Sequence, residues 1–550
     1  MLRPLPGDVL CLICDDLVSN GEFNSLYQCA LSGSSLAGSA LRSLYRGVQP
    51  SSLVPAHKIV EIQTPRMGLM WHSIIASTFG RTYLPYYQFL RVFDLGPLED
   101  FLASHRFEIK TKEIFFSEFI DVMDSWREYF EKPRDERNYD PARVKEIIED
   151  IGDGIAPTSG NFPSTKGIGP QSLRIKNVIP HKFVDRARPR SLPPNDHLEK
   201  FLQDLPPNTL KNLTLTPMGS ASFPTSLLSS QAESLTKIIF NTVQWESIAS
   251  FSSLGPCPNL KVLVFRDALT PMMRESDMLR ESDTSTKFAR WICSCGNLTH
   301  LELGGVYNAV DIATAVVLDG GIKLRILSIS GAIGSAKALH EGLKNQTSLE
   351  QLHLTPGMAD LSLTGASLRI SSDKTILIQS LCRLSKLQDL ELSGVSDKFT
   401  SPDIVCLAAA LPNLRSLVTG GDLFDDLIWE KLVLLPKLRL LRIYARSRFT
   451  ADAILDFASR VGNRAFTLAI LGQEEEARIS SVDKERIEQC YGTGPIPTVT
   501  LLRTFPKTIT PTHLTHPTKM RLLKVWAMYH KSDEPEEQPL DNDPVDTNRR

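Results

Sequence analysis

Cysteine and histidine are the residues of this chain whose types and spacing could support metal or thiol chemistry. Cys11 and Cys14 form a C-x-x-C pair, and Cys293 and Cys295 form a C-x-C pair. A zinc site needs four ligands, and no further Cys or His stands near either pair at a matching spacing. We therefore predict no metal site. We expect these cysteines to be buried structural residues, because a free cysteine packs like a small hydrophobic side chain.

Motifs for catalysis and nucleotide binding are absent from the sequence. It contains no G-x-S-x-G, no Walker-type glycine loop, no H-E-x-x-H and no calcium-binding EF-hand loop. The YGTGP stretch that begins at Tyr491 has no strand–helix context. The sequence therefore predicts a protein that is not an enzyme and that takes no cofactor and no small-molecule substrate.

Charge and hydropathy exclude further classes of partner. The 550 residues include 61 basic and 63 acidic side chains, and a formal net charge of −2 would attract neither nucleic acid nor an anionic membrane. No apolar run reaches the roughly 18 residues of a membrane span. Asp8, Asp15 and Asp16 interrupt the stretch where a signal peptide would lie. Nine cysteines, sparse and odd in number, favour the cytoplasm or the nucleus.

A leucine pattern repeats through most of the chain. L-x-x-L-x-L, with Ile or Phe in place of some leucines, occurs nine times at intervals of 24 to 27 residues, apart from two intervals of 38. The copies begin at Leu210, Leu235, Leu260, Leu298, Leu324, Leu349, Leu387, Leu414 and Leu438, where the copy at Leu414 ends in Thr419. Each interval of 38 is a repeat plus an insertion of about a dozen residues. A further match, LRVFDL at Leu90, predicts the first strand of the array.

Each copy predicts one strand followed by one helix. Apolar and polar residues alternate at the end of the pattern, as in a strand with one buried face. Helical spacing follows in GSAKALHEGLKNQ, SPDIVCLAAALPN and DLFDDLIWEKLVLLPK; in the second, Ile404, Leu407, Ala408 and Leu411 share a face. One strand and one helix per 24–27 residues is the leucine-rich repeat unit. The sequence therefore predicts an α/β fold in which the repeats stack into a curved solenoid.

The residues between the buried leucines would line the concave strand face of such a solenoid, a common protein-binding geometry. The candidates for contact with a target protein are Arg266, His300, Glu302, Gln351, His353, Asp389, Glu391, Arg442 and Tyr444. The alternative for each of them is an ordinary solvated strand position. Because His300 and His353 stand two repeats apart, we predict no shared metal site.

Composition and the repeat pattern divide the chain into six predicted parts. The predicted parts are a helical domain (1–48), a connecting region with the first repeat (49–130), an insertion (131–207), the repeats (208–475), a C-terminal cap region (476–531) and a tail (532–550). The insertion is rich in Pro, Gly and charge and is predicted to be partly disordered, with its basic RARPR run solvated. The acidic tail has almost no large apolar residues and is predicted to be disordered.

Three short helices are predicted before residue 50. In LPGDVLCLICDDLV, which starts at Leu5, Val9, Leu10, Ile13 and Leu17 recur at helical spacing, with an aspartate at the positive end of the helix dipole. NSLYQCALS and GSSLAGSALRSLYRG continue the helical pattern. Three helices of this length bury little surface, so they would be only marginally stable without a partner.

These helices resemble the F-box motif. The resemblance covers residues 5–45 and rests on Leu5-Pro6, Asp8-Val9-Leu10, Ile13, Leu17, Leu26, Ala30-Leu31-Ser32 and Ala40-Leu41. An F-box followed by leucine-rich repeats is itself a known family plan. WHSIIASTFGRTYLPYYQFLRVFDL, from Trp71 to Leu95, is similar to the stretch that follows the box in filamentous-fungal members.

The resemblance implies a function. In that family the three helices dock onto a Skp-type adaptor, which joins them to a cullin–RING ubiquitin ligase, and the repeats hold a target protein for ubiquitination and degradation. The adaptor-binding residues that it implies are Leu5, Pro6, Asp8, Val9, Leu10, Ile13, Leu17, Leu26 and Leu31. Leu10, Ile13 and Leu17 would divide between the small internal core and the adaptor's groove, with Leu5 and Pro6 at the rim.

Two other interpretations stay open. The first three helices could simply cap the exposed hydrophobic end of the solenoid, which would leave an interaction scaffold with no ligase role. A GTPase-regulatory or nucleotide-linked activity on the repeat array is the third interpretation, for which no catalytic Arg or Asn can be singled out. Binding to a Skp-type adaptor would distinguish the ligase interpretation from the cap interpretation.

Overall fold

The fold is described here from a computed structural model. It describes residues 6–20, 22–46, 70–77, 81, 82, 86, 92–94, 98, 172–176, 205–216, 225–241, 248, 250–266, 275–306, 308–330, 336–355, 374–393, 395, 398–461, 466–473, 482, 483, 486, 487 and 498–502. The chain divides into two compact units. The first consists of Met1–Ile329 with Ala338–Leu352, and the second of Ser330–Lys337 with His353–Arg550.

The first unit opens with the three predicted helices: α1 (Gly7–Ser19), α2 (Phe23–Ser32) and α3 (Ser34–Arg46). Pro6 is the N-cap residue of α1, where its missing N–H costs nothing. Asp8 lies in the first turn of α1, next to the positive end of the helix dipole. A further helical segment covers residues 70–77.

A ladder of parallel strands follows in the first unit. Its strands are β1 (Val92–Asp94), β2 (Ser172–Lys176), β3 (Asn212–Thr216), β4 (Lys237–Asn241), β5 (Val262–Arg266), β6 (His300–Gly304) and β7 (Ile326–Ser330), and β8 (Gln351–Thr355) comes next in the chain. The strands lie in chain order, and each pairing from β1 to β6 is parallel. The connections contain α4 (Glu275–Ser294), α5 (Ala309–Leu318), α6 (Lys337–Leu343) and two 3-10 helices, Thr225–Gln231 and Phe251–Ser253.

The second unit continues the same alternation of strand and helix. Its strands are β9 (Asp389–Glu391), β10 (Ser416–Phe424), β11 (Leu440–Ser447), β12 (Thr467–Gln473) and β13 (Thr498–Leu502), paired in parallel and in chain order. Its helices are α7 (Lys374–Leu381), α8 (Ser401–Ala410), α9 (Leu427–Leu432) and α10 (Ala451–Val461). Parallel strands in chain order, one per leucine pattern, are the arrangement of a leucine-rich repeat array.

The leucine pattern forms the core of both units. All nine predicted copies contain a strand, and the apolar positions of each copy are buried, including Thr419, where the pattern ends in a polar residue. The predicted helix face of Ile404, Leu407, Ala408 and Leu411 is buried as well. The first of the two long intervals contains α4, the 20-residue helix. The predicted α/β repeat fold is confirmed.

The ladder extends beyond the copies that the sequence predicted. β2 lies inside the region 131–207 that was interpreted as an insertion, and β13 lies inside the region 476–531 that was interpreted as a cap. β12 was not recognised as a repeat strand either. The leucine pattern is degraded in each case, since Pro170 and Ala465 occupy the place of the first leucine and Val499 occupies the place of the second.

Asparagines tie consecutive repeats together. Asn259, Asn297 and Asn413 each stand directly before the first leucine of a copy. Their side-chain amides donate to backbone carbonyls of the preceding repeat, at 2.7 Å to Glu233, 2.7 Å to Pro258 and 2.9 Å to Ser385. In each case the accepting carbonyl lies two residues before the first leucine of that repeat, so these bonds fix the repeat spacing.

A buried glutamine, Gln346, also links consecutive repeats inside the first unit. The side-chain oxygen of Gln346 accepts the backbone N–H of Leu324 at 3.0 Å. Its amide nitrogen lies within 3.3 Å of the carbonyl oxygen of Val317 and 3.2 Å of that of Ile322. Gln346 is completely buried, so no water can replace these bonds.

Gln346→Leu is therefore expected to lower the free energy of unfolding by about 2–3 kcal/mol, because leucine has a similar volume but leaves three buried backbone groups with fewer hydrogen bonds. The measurement is urea unfolding followed by circular dichroism. Asn345→Leu, at the exposed neighbouring position, is the matched control and should change stability by less than about 0.5 kcal/mol. Equal effects of the two changes would contradict this role of Gln346.

Candidate functional site

The opening helices form a small bundle with its own core. Cys14 of α1, Leu26 of α2 and Ala40 of α3 are completely buried. The half-buried side chains packed against them are Leu17, Val18, Cys29, Ala30, Leu36 and Leu44. Leu26 thus serves the interior of the bundle, and its predicted part in adaptor binding is corrected, because a fully buried side chain cannot contact a partner in this conformation.

Polar contacts fix α1 against α3. The hydroxyl of Ser43 donates to a carboxylate oxygen of Asp15 at 2.7 Å, and the thiol of Cys11 donates to the hydroxyl of Ser39 at 3.5 Å. Burial, together with the neighbouring Cys29, Cys11 and Asp15, raises the pKa of the Cys14 thiol. Cys14 is therefore held as a neutral thiol in the core, which is a structural role.

Large apolar side chains remain exposed on this bundle. On α1, Leu12 is 69% exposed and Ile13 is 42% exposed; on α2, Tyr27 is 55% and Leu31 is 65% exposed. Tyr27 and Leu31 are one helical turn apart, so they share a face of α2. Four exposed side chains of this size within about 40 residues make this bundle the main candidate for a protein-binding site.

Apart from buried Leu26, the predicted adaptor-binding residues that the structure describes fall into an exposed group and a half-buried group. Ile13 and Leu31 are exposed, together with Pro6 and Asp8. The half-buried ones are Val9, Leu10 and Leu17, of which Leu17 packs on the bundle core. Leu5 lies outside the described residues. Leu12 and Tyr27 were not predicted, although both are exposed and apolar.

Three predicted target-binding residues of the first unit lie together on its strand face. The Arg266 guanidinium makes two hydrogen bonds to the Glu302 carboxylate, at 2.9 and 3.1 Å. His300 Nε2 lies 4.0 Å from the same carboxylate. The parallel register pairs Val262 with His300 and Val264 with Glu302, which accounts for this proximity. The charges of Arg266 and Glu302 largely cancel each other. This group would therefore offer a target protein directed hydrogen bonds and little net charge.

The second unit carries another polar group on its strand face. Val418 of β10 pairs with Glu391 on one side and with Arg442 on the other. Burial raises the pKa of Tyr444, nearby Glu391 raises it further, and Arg442 opposes the shift through its charge and a hydrogen bond. Ser393 donates to Glu391 at 3.3 Å. The predicted residues Glu391, Arg442 and Tyr444 therefore share one electrostatic environment.

The remaining predicted strand-face residues are half-buried. They are Gln351 and His353 on β8 and Asp389 on β9. Asp389 lies in register with Ser416 of β10, two positions along the strand from the pairing of Glu391 with Val418. Their contact with a target protein stays a prediction.

Metal binding and membrane insertion have no support in the part of the chain that the structure describes. Among these residues no group of three or more His, Cys, Asp or Glu side chains is arranged to hold a metal ion. None of the helices described here is both long and apolar enough to cross a membrane. Cys14 and Cys295 are buried as predicted, but Cys11 and Cys293 are only half-buried.

Comparison with known proteins adds only a distant likeness to solved structures. No family model matches the chain, and no curated protein sequence matches it. Among solved structures it is similar to an internalin from Listeria monocytogenes, with 11% sequence identity, 55% of this chain and 79% of that chain covered, and a TM-score of 0.26. The fold assignment therefore rests on the strand order and the buried leucines described above.

Proposed function

We propose that the protein is a non-catalytic substrate-recognition subunit of a cullin–RING ubiquitin ligase. In this proposal α1–α3 bind a Skp-type adaptor, and the strand face of the repeats binds a target protein, which other subunits ubiquitinate for degradation. The single observation that carries the proposal is the exposure of Leu12, Ile13, Tyr27 and Leu31 on a bundle whose small core is filled by other side chains. Together with the resemblance of residues 5–45 to the F-box, this exposure favours an adaptor as the occupant.

The exposed side chains supply a physical reason for binding. Burying a large apolar side chain contributes about 1.5–3 kcal/mol, so covering four of them can offset much of the cost of association. A helix face inserted into an apolar groove is a recurring mode of protein recognition. Ile13 and Leu31 would enter the groove in this mode, with Pro6 and Asp8 at its edge and Val9 and Leu10 beside them.

The same exposure weighs against a bundle that only caps the array. A cap would place its apolar side chains against the repeats of its own chain, and these four are 42–69% exposed. The strand-face groups around Glu302 and Glu391 support target binding with or without a ligase, so they do not separate the two functions. A ligase subunit of this kind would act in the cytoplasm or the nucleus.

The test is size-exclusion chromatography of the full chain mixed with a purified Skp-type adaptor. The proposal predicts a 1:1 complex that elutes ahead of both components. Elution of the two proteins as separate species at micromolar concentrations would refute the ligase role and leave an interaction scaffold.

A further inference from the structure

Two cysteines of the second unit are in direct contact. The Sγ atom of Cys382, one residue past the end of α7, lies 3.6 Å from the Sγ atom of Cys406 in α8. Cys406 is exposed, and Cys382 is half-buried. The two residues are 24 positions apart and belong to neither of the short cysteine motifs, so only the stacking of consecutive repeats brings them together.

We propose that Cys382 and Cys406 are an oxidation site, at which a hydroperoxide converts the two thiols into a reversible disulfide that ties α7 to α8. A disulfide has an S–S distance of about 2.05 Å, so the two sulfur atoms need to approach by about 1.5 Å from their present contact. Rotation of the exposed Cys406 side chain about χ1 supplies movement of this size.

The chemistry balances with hydrogen peroxide as the oxidant. The Cys406 thiolate attacks one peroxide oxygen, the O–O bond breaks, and Cys406 becomes a sulfenic acid while hydroxide leaves. The Cys382 thiolate then attacks the sulfenic sulfur, the S–S bond forms, and a second hydroxide leaves. Two protons from the thiols convert the hydroxides into two waters. The two cysteines together lose two electrons, and the peroxide gains two.

The environment of the pair sets the order of these steps. Burial, the hydrogen bond to Cys406 and the charge of the Cys406 thiolate raise the pKa of Cys382 to about 12. Exposed Cys406 is therefore the first to meet peroxide. Once Cys406 is a sulfenic acid it no longer carries a thiolate charge, so one cause of the raised pKa disappears and Cys382 is freer to ionise and attack.

The first unit provides an internal control. Cys257 and Cys295 also lie close enough for Cys295 to raise the pKa of Cys257, but both are buried. Peroxide cannot reach them while the protein stays folded. Selective oxidation of the Cys382–Cys406 pair would therefore reflect its exposure and not merely the closeness of two sulfurs.

The test is treatment of the full chain with a few equivalents of hydrogen peroxide, then alkylation of remaining thiols, trypsin digestion and mass spectrometry without reduction. Trypsin releases Cys382 in peptide 375–383 and Cys406 in peptide 399–415. We expect these two peptides to be linked, to separate after dithiothreitol, and to come from a monomer. Alkylated Cys382 and Cys406 after treatment, Cys406 oxidised without linkage, or linkage between two chains would each overturn the proposal.

Two variants and a thermal measurement complete the experiment. In the full wild-type chain, oxidation should raise the Tm of the second unit by several degrees. The reason is that a cross-link over 24 residues restricts the unfolded chain. Cys406→Ser should abolish both the linked peptides and the shift, while Cys382→Ser should let Cys406 proceed to sulfinic acid. A shift of the same size in Cys406→Ser would contradict a disulfide at this site.

Discussion

Replacing Ile13 and Leu31 together with glutamate is expected to weaken adaptor binding by at least about 100-fold. Both side chains are exposed in the free protein, and both would be desolvated at the proposed interface. Loss of one buried anchor typically costs about 2 kcal/mol or more, and a buried carboxylate without a partner adds to that cost. Since about 1.4 kcal/mol corresponds to a factor of ten, two such changes exceed 100-fold. Isothermal titration calorimetry with the Skp-type adaptor measures this loss.

The control for that variant is Leu434→Glu. Leu434 is 65% exposed, as Leu31 is, but it lies in the second unit. It should bind the adaptor within about twofold of wild type. All three positions are at the surface, so each variant should keep its stability to within about 1 kcal/mol, which circular dichroism can verify. Wild-type affinity in the Ile13→Glu/Leu31→Glu variant would remove these helices from the interface.

Phe265→Ala is expected to destabilise the first unit by about 3–5 kcal/mol, which is a large part of the stability of a typical domain. Phe265 is the last residue of the pattern copy LKVLVF, lies in β5 and is completely buried. Its ring centroid lies 5.6 Å from that of Phe240, 5.9 Å from that of Phe251 and 5.7 Å from that of Phe288. Truncation to alanine therefore opens a cavity with three aromatic rings as its walls.

Phe265→Leu is the matched variant, because leucine occupies the same position in four of the other eight copies of the repeat. It fills part of the space and should cost about 1–1.5 kcal/mol. Urea unfolding of both variants measures the two costs. If Phe265→Leu were as damaging as Phe265→Ala, the repeat position would demand an aromatic ring for a reason other than packing volume.

The repeat array could be predicted from the sequence because its signal is redundant. Eight of the nine copies bury three apolar residues at a fixed spacing, so the degraded position at Thr419 does not hide the ninth. β2 and β12 were missed because a proline or an alanine stands where the first leucine belongs, and β13 was missed because Val499 stands where the second belongs. Their strands form because neighbouring strands supply the hydrogen-bonding ladder, which a local pattern does not contain.

The candidate surface could be predicted only in part. Helical spacing shows that residues share a face, but it cannot show whether that face meets another helix or solvent. Leu26 was therefore placed at the partner when it belongs to the core, and exposed Leu12 and Tyr27 were passed over. The Cys382–Cys406 contact and the bonds of Gln346 arise from the stacking of separate repeats, so no local sequence feature indicates them.

The central claim is that another protein covers the exposed apolar side chains of α1 and α2. Hydrogen–deuterium exchange of the full chain, with and without saturating Skp-type adaptor, tests it most directly. The account predicts that adaptor slows amide exchange in peptides covering α1 and α2 and leaves β3–β11 unchanged. Unchanged exchange throughout residues 7–46, or protection confined to the repeats, would contradict it.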